Sequence, residues 1–89
     1  MATVIFTTNV QRHVACPRAQ APGRTVREVL DNVFTGNPQA RGYVLDDQSA
    51  LRRHMTIFVD GQMIRDRPRL GDAVSESSTI HVFQALSGG

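Results

Sequence analysis

Apolar positions along the chain follow two periods, and the change from one to the other divides it into elements. Thr3-Val4-Ile5-Phe6-Thr7-Thr8 alternates as a strand does, with Val4 and Phe6 on one face and Ile5 on the other. His13-Val14-Ala15-Cys16, closed by Pro17, predicts a second strand, joined to the first as a hairpin through Asn9 to Arg12 and confined to an edge by the proline. Arg18 to Arg24, with Pro22 and Gly23, is expected to be a connection. From Thr25 the period lengthens: Val26, Val29, Leu30, Val33 and Phe34 form one helical stripe that should pack on a sheet. Thr25 and Glu28 have the spacing of a reciprocal N-terminal cap. Gly36 is expected to end the helix in a left-handed conformation, and Pro38 to prevent its continuation.

Residues 37–54 show neither period, although Ala50, Leu51 and Met55 allow a short helix after Ser49. Asp46-Asp47 lacks the loop spacing of a calcium site and reads as a solvated turn. Strand character returns at Thr56-Ile57-Phe58-Val59. Asp60-Gly61 then supplies the positive φ angles of a tight turn into Gln62-Met63-Ile64, with Ile57 and Val59 inward and Phe58 outward. Arg65 to Ser78 is polar and turn-rich, anchored by Leu70, Ala73 and Val74. Thr79 to Gln84 is a last strand, Ile80 and Val82 facing one way, His81 and Phe83 the other. Ala85-Leu86-Ser87-Gly88-Gly89 has little to bury and two glycines, so it is expected to be a flexible tail, residues 85–89, on a single domain of residues 1–84.

These elements predict an α+β domain: a sheet of four to five strands with one long helix across one face. The last strand should lie beside the first, in parallel, in the middle of the sheet. Ile5, Phe58, His81 and Phe83 then share the uncovered face, an apolar patch beside the tail of the kind that docks a partner.

Composition narrows the possibilities. At 40% hydrophobic and 20% charged, the 89-residue chain has the balance of a soluble globular domain. It contains no apolar run near the ~20 residues that span a bilayer and no signal-peptide start, so a cytoplasmic location with no membrane partner is expected. A net charge of +2, with no aromatics interleaved among the arginines, argues against nucleic acid. All ten cationic residues are arginine, so no side-chain amine is present to form an isopeptide bond. Cys16 with His13, His54 and His81 matches no zinc spacing, and His13 is the one nearby base for a reactive thiol. No acid/base pair, nucleophile with base or phosphate loop is visible. The chain is therefore expected to serve partner enzymes rather than to be one, and to need no cofactor or metal.

A Gly-Gly end can thread a narrow channel. Its α-carboxylate, with an ordinary pKa of about 3.3–3.7, is an anion and a poor electrophile until activated, for example by adenylation. The protein would then be a group carrier.

Ser78-Thr79-Ile80-His81-Val82-Phe83, followed by Gly88-Gly89, resembles the ending of ubiquitin, Ser-Thr-Leu-His-Leu-Val and a Gly-Gly. Ile57-Phe58-Val59-Asp60-Gly61 resembles its Leu-Ile-Phe-Ala-Gly hairpin. The helix placement also agrees, which together imply a ubiquitin-like β-grasp. Ala85 stands where ubiquitin has an arginine and Gln62 where it has a chain-forming lysine, whereas Ala85-Leu86-Ser87 before the glycines is similar to the sulfur carriers of the MoaD/ThiS family. The stretch from Leu51 to Val59 resembles the carriers of cysteine synthesis.

The resemblance implies that an E1-like enzyme adenylates Gly89 with ATP. Sulfur then replaces AMP, and the thiocarboxylate donates sulfur to a biosynthetic enzyme making cysteine, molybdopterin, thiamin or another sulfur-containing metabolite. Leu86, Ser87 and Gly88 would be threaded into the partner, while Ile5, Phe58, His81 and Phe83 would dock, joined by Leu86. The alternatives are a modifier joined through Gly89 to lysines of other proteins, and a plain binding module whose Gly-Gly is accidental.

Overall fold

A computed structural model describes residues 1–84. In chain order these form β1 (Ala2–Phe6), α1 (Thr8–Gln11), β2 (Ala19–Ala21), α2 (Val26–Thr35), α3 (Pro38–Val44), β3 (Met55–Val59), β4 (Gln62–Met63) and β5 (Thr79–Gln84). The strands make one mixed sheet in the order β2-β1-β5-β3-β4. As expected, β5 lies in the middle. It runs parallel to β1, with Ile5 opposite His81, and antiparallel to β3, with Phe58 opposite that same His81.

The even positions of β1 and β5 face the helices. Val4, Phe6, Ile80 and Val82 are joined by Met55 and Ile57 of β3, and all are buried. Against them α2 lays Val26, Val29, Leu30 and Phe34, with the Phe34 ring 6.2 Å from that of Phe6. The periodic stripe is thus core, as its spacing requires. The Thr25 hydroxyl accepts the Glu28 N–H at 3.2 Å, and the Glu28 carboxylate accepts the N–H of Arg24 at 2.8 Å. The cap is reciprocal, but reaches one residue further back than the usual box. The turn after β3 is also as expected, with φ 50° at Asp60 and 87° at Gly61.

Several elements differ from expectation. No strand forms at His13-Val14-Ala15-Cys16. The chain instead turns through the short α1, and the antiparallel partner of β1 is Ala19–Ala21, within the segment expected to be a connection. Val14 and Cys16 pack into the core as loop side chains, so their apolar character is used without a ladder. Gly36 ends α2 at φ −92°, outside the left-handed region. Pro38 does stop α2, but it does so by starting α3: proline is suited to the first turn of a helix, and the Asn37 side chain caps it by accepting the Ala40 N–H at 3.2 Å. The second helix therefore precedes Ser49, and α2 is accompanied by α3 and α1 instead of standing alone. Asp46 closes a tight turn, its Oδ1 accepting the N–H groups of Gln48 and Ala50. No helix of the described residues is long and apolar enough to cross a membrane.

Candidate functional site

The face of the sheet turned away from the helices is set by odd positions of β1 and β5 and by their register partners. Ile5, His81 and Phe58 lie in one row across three strands, and Phe83 sits opposite Thr56 in the next. The four residues expected to dock a partner therefore share one face. The Phe58 and Phe83 rings meet edge to face at 5.2 Å and 68°, and the His81 ring lies 6.0 Å from Phe83. Such a pair is held by complementary quadrupoles, which keeps both rings ordered while one side of each stays open. Phe83 is 37% exposed, and Ile5, Phe58 and His81 are half-buried.

Two further members of the face were not identified from sequence. Met63 is 58% exposed and pairs with Phe58, extending the apolar surface to the sheet edge. The signal for it was available, because a two-residue turn at Asp60-Gly61 fixes which residue of the returning strand lies across from Phe58. Thr56 is the other: its Oγ1 is enclosed and has no hydrogen-bond partner among the described residues.

The strand carrying His81 and Phe83 is described as far as Gln84. Leu86, Ser87, Gly88 and Gly89, expected to thread into a partner and to carry the reactive group, lie outside the described residues. At the strand's end, on the helix side, the Tyr43 hydroxyl of α3 donates to Gln84 Oε1 at 2.5 Å. The His13 ring stacks on Tyr43 at 5.5 Å and 18°, and His54 meets it edge-on at 5.7 Å. This cluster had no counterpart in the sequence reading.

The remaining chemistry-bearing side chains have structural partners. Cys16 is buried and its thiol donates to the Val14 carbonyl at 3.3 Å, while the nearby His13 is engaged with Tyr43. Burial pushes the Cys16 thiol pKa up, because the thiolate would lose its hydration. The group is thereby a poor nucleophile. Among the described residues no group of three His, Cys, Asp or Glu is placed to hold a metal.

Several arginines fasten one segment of the chain to another. Arg27 donates to the carbonyls of Ser49 at 2.6 Å and Arg69 at 3.1 Å, Arg52 to that of Gly42 at 2.9 Å, and Arg67 to that of Arg52 at 2.8 Å. Arg41 reaches the Ser49 hydroxyl. These guanidiniums bond to carbonyls of the loops and of the last turn of α3, and tie residues 45–54 to 65–70 and to the helices. Acids do the converse for N–H groups: Asp72 accepts from Arg65 and Asp66, and Asp66 from Arg69 and Gly71. Only one ion pair, Arg27–Asp31 at 3.9 Å, forms among the described residues.

A model of the ThiS family matches residues 11–89. No curated protein sequence matches the chain. Among solved structures, the fold is similar to that in the crystal structure of the Amycolatopsis orientalis BexX/CysO complex, at 23% identity over 100% of both chains and a TM-score of 0.82. It is also similar to SAMP1 from Haloferax volcanii, at 23% identity over 99% of this chain and 98% of that one, with a TM-score of 0.77. CysO of Mycobacterium tuberculosis is similar at 20% identity, covering 97% of this chain and 100% of that one, with a TM-score of 0.78. The arrangement common to them, a mixed sheet grasping a helix, is the ubiquitin-like β-grasp.

Proposed function

The chain belongs to the ThiS family, and on that premise we propose that it carries sulfur on its terminal residue, Gly89, for partner enzymes. In this reading residues 85–89 are a tail on a domain of residues 1–84. An E1-like enzyme binds the uncovered face and draws in Leu86, Ser87 and Gly88. A carboxylate oxygen of Gly89 attacks the α-phosphate of ATP, releasing pyrophosphate and leaving an acyl adenylate. A hydrosulfide equivalent from a donor then attacks the acyl carbon, forming a C–S bond as the bond to AMP breaks. The thiocarboxylate passes sulfur to a biosynthetic enzyme. The carrier does no chemistry of its own, acts in the cytoplasm, and supplies docking and reach.

One observation carries the proposal: β5 both presents His81 and Phe83 on the uncovered face and leads directly into Ala85–Gly89. A partner gripping that face therefore stands at the root of the tail. Five residues extend at most about 3.3–3.6 Å each, roughly 17 Å in all, enough to reach into an enclosed active site while the domain stays outside.

The test is the intact mass of the protein from its native host, with mapping of the C-terminal peptide. A gain of about 16 Da on Gly89, distinguished from methionine oxidation by its conversion to a heavier adduct with thiocarboxylate-specific alkylation, is the expected result. Deleting Gly89 should abolish charging and leave thermal melting unchanged. A second reading is supported by the likeness to a small archaeal modifier protein from Methanosarcina acetivorans, at 22% identity and a TM-score of 0.78. It predicts Gly89 joined to lysines of other proteins, with no thiocarboxylate under any growth condition.

A further inference from the structure

Gln84 lies between two clusters, the aromatic face on one side of the sheet and Tyr43 with its two imidazoles on the other. We propose that Tyr43 is a positioning residue: flanked by His13 and His54 and bonded to Gln84, it holds in place the residue that directly precedes the tail. The inference rests on the carrier reading above, since holding the root of the tail matters to charging only if the tail must enter a partner.

Three segments distant in sequence meet Tyr43. His13 comes from the loop after α1, His54 from the turn before β3, and Gln84 is the final residue of β5, 41 positions from Tyr43. Gln84 pairs with Met55 on the strand side, so its backbone is held by β3 while its side chain is held by α3. The stacked and edge-on imidazoles flank the half-buried Tyr43 ring, and its hydroxyl donates to Gln84 Oε1. Gln84 is thus held by its ladder pairing to Met55 and, on the helix side, by the hydroxyl of Tyr43. A tail that continues from a fixed residue has fewer arrangements to lose when it threads a channel.

This role differs from docking and has a separable kinetic signature. The uncovered face sets how tightly the enzyme binds; the clamp sets how often a docked carrier has its tail in place. Tyr43→Phe keeps the ring contacts and removes only the hydroxyl. In ATP–pyrophosphate exchange by the host's adenylating enzyme it should lower kcat about two- to tenfold, the range one hydrogen bond is worth, with KM changed less than twofold. Gln84→Met should do the same, and the double variant should lose no more than either single one.

A second measurement uses the free protein and is independent of the carrier reading. The backbone order parameter of Gln84 should fall from the rigid range near ~0.85 toward ~0.6 in Tyr43→Phe. An unchanged order parameter overturns the clamp. So does an unchanged kcat, additive loss in the double variant, or a loss seen entirely in KM. If the enzyme does not charge the wild-type chain at all, the carrier reading fails, and the order parameter alone decides whether Tyr43 holds the strand end.

Discussion

Replacing Phe83 by alanine separates the stability of the domain from the affinity of its uncovered face. Fully burying a phenylalanine side chain is worth about 1.5–3 kcal/mol. Phe83 is 37% exposed, so roughly a third of that, about 0.5–1 kcal/mol, is still available to a partner, and the rest is already used in the fold. Its edge-to-face contact with Phe58 adds about 0.5–1.5 kcal/mol to the folded state, and a comparable aromatic contact in the complex would add as much to binding. Phe83→Ala should thus cost about 1.5–3.5 kcal/mol of stability, within the 5–15 kcal/mol typical of a folded domain, so the variant remains folded. The partner should be lost by about 1–2.5 kcal/mol, a weakening on the order of tenfold. Urea unfolding gives the first quantity and calorimetric titration with the host's adenylating enzyme the second. If stability falls as expected while Kd stays within twofold of wild type, the partner does not dock on this face and the argument from the shared strand is wrong.

Other predictions concern the frame that holds this face. Gly23 has φ +154°, and a Cβ there would lie 2.7 Å from the Val29 backbone nitrogen, so Gly23→Ala should cost on the order of 3 kcal/mol or more in thermal or urea unfolding. Thr25→Ala removes the acceptor for the Glu28 N–H and should destabilise by about 1 kcal/mol, read from the urea midpoint. The buried thiol gives a pH dependence. In the unfolded chain Cys16 releases its proton near 9.0, whereas the folded state holds it to higher pH; its contribution is therefore intact below that value and declines as pH rises through it. Comparing urea midpoints at pH 8 and pH 10 should show a fall in the wild type that is smaller in Cys16→Ala.

Much of the sheet was legible because its signals are local. The Asp60-Gly61 turn, the period-two alternation of β1, β3 and β5, and the capped stripe of α2 each lie within a dozen residues of sequence. The uncovered face followed from them, since alternation alone sorts Ile5, Phe58, His81 and Phe83 from the core. The misplaced second strand shows where local signals fail. Ala19-Gln20-Ala21 has little strand propensity and becomes β2 through pairing with β1, while the β-branched and apolar residues before it are taken up by the core as loop. Pro38 carried two opposite meanings, a stop and a start, and Asn37 immediately before it, a good cap, was the residue that decided between them. Tyr43 was invisible for a different reason. Its partners come from three distant segments, and nothing about a lone tyrosine in an aperiodic stretch says what it will meet.

The central place of β5 bears on when the molecule becomes competent. β5 follows every other element in the chain, yet it alone joins the β2-β1 pair to the β3-β4 pair. Thr3 must find Thr79 across nearly the whole sequence, a long loop to close and a late event in folding. Until that closure Ile5 is apart from Phe58, His81 and Phe83, and a half-folded molecule cannot display all four together. An enzyme that recognises the face is thereby recognising completion. On the carrier reading proposed above, unfinished or misfolded copies would go uncharged, without any separate machinery to inspect them.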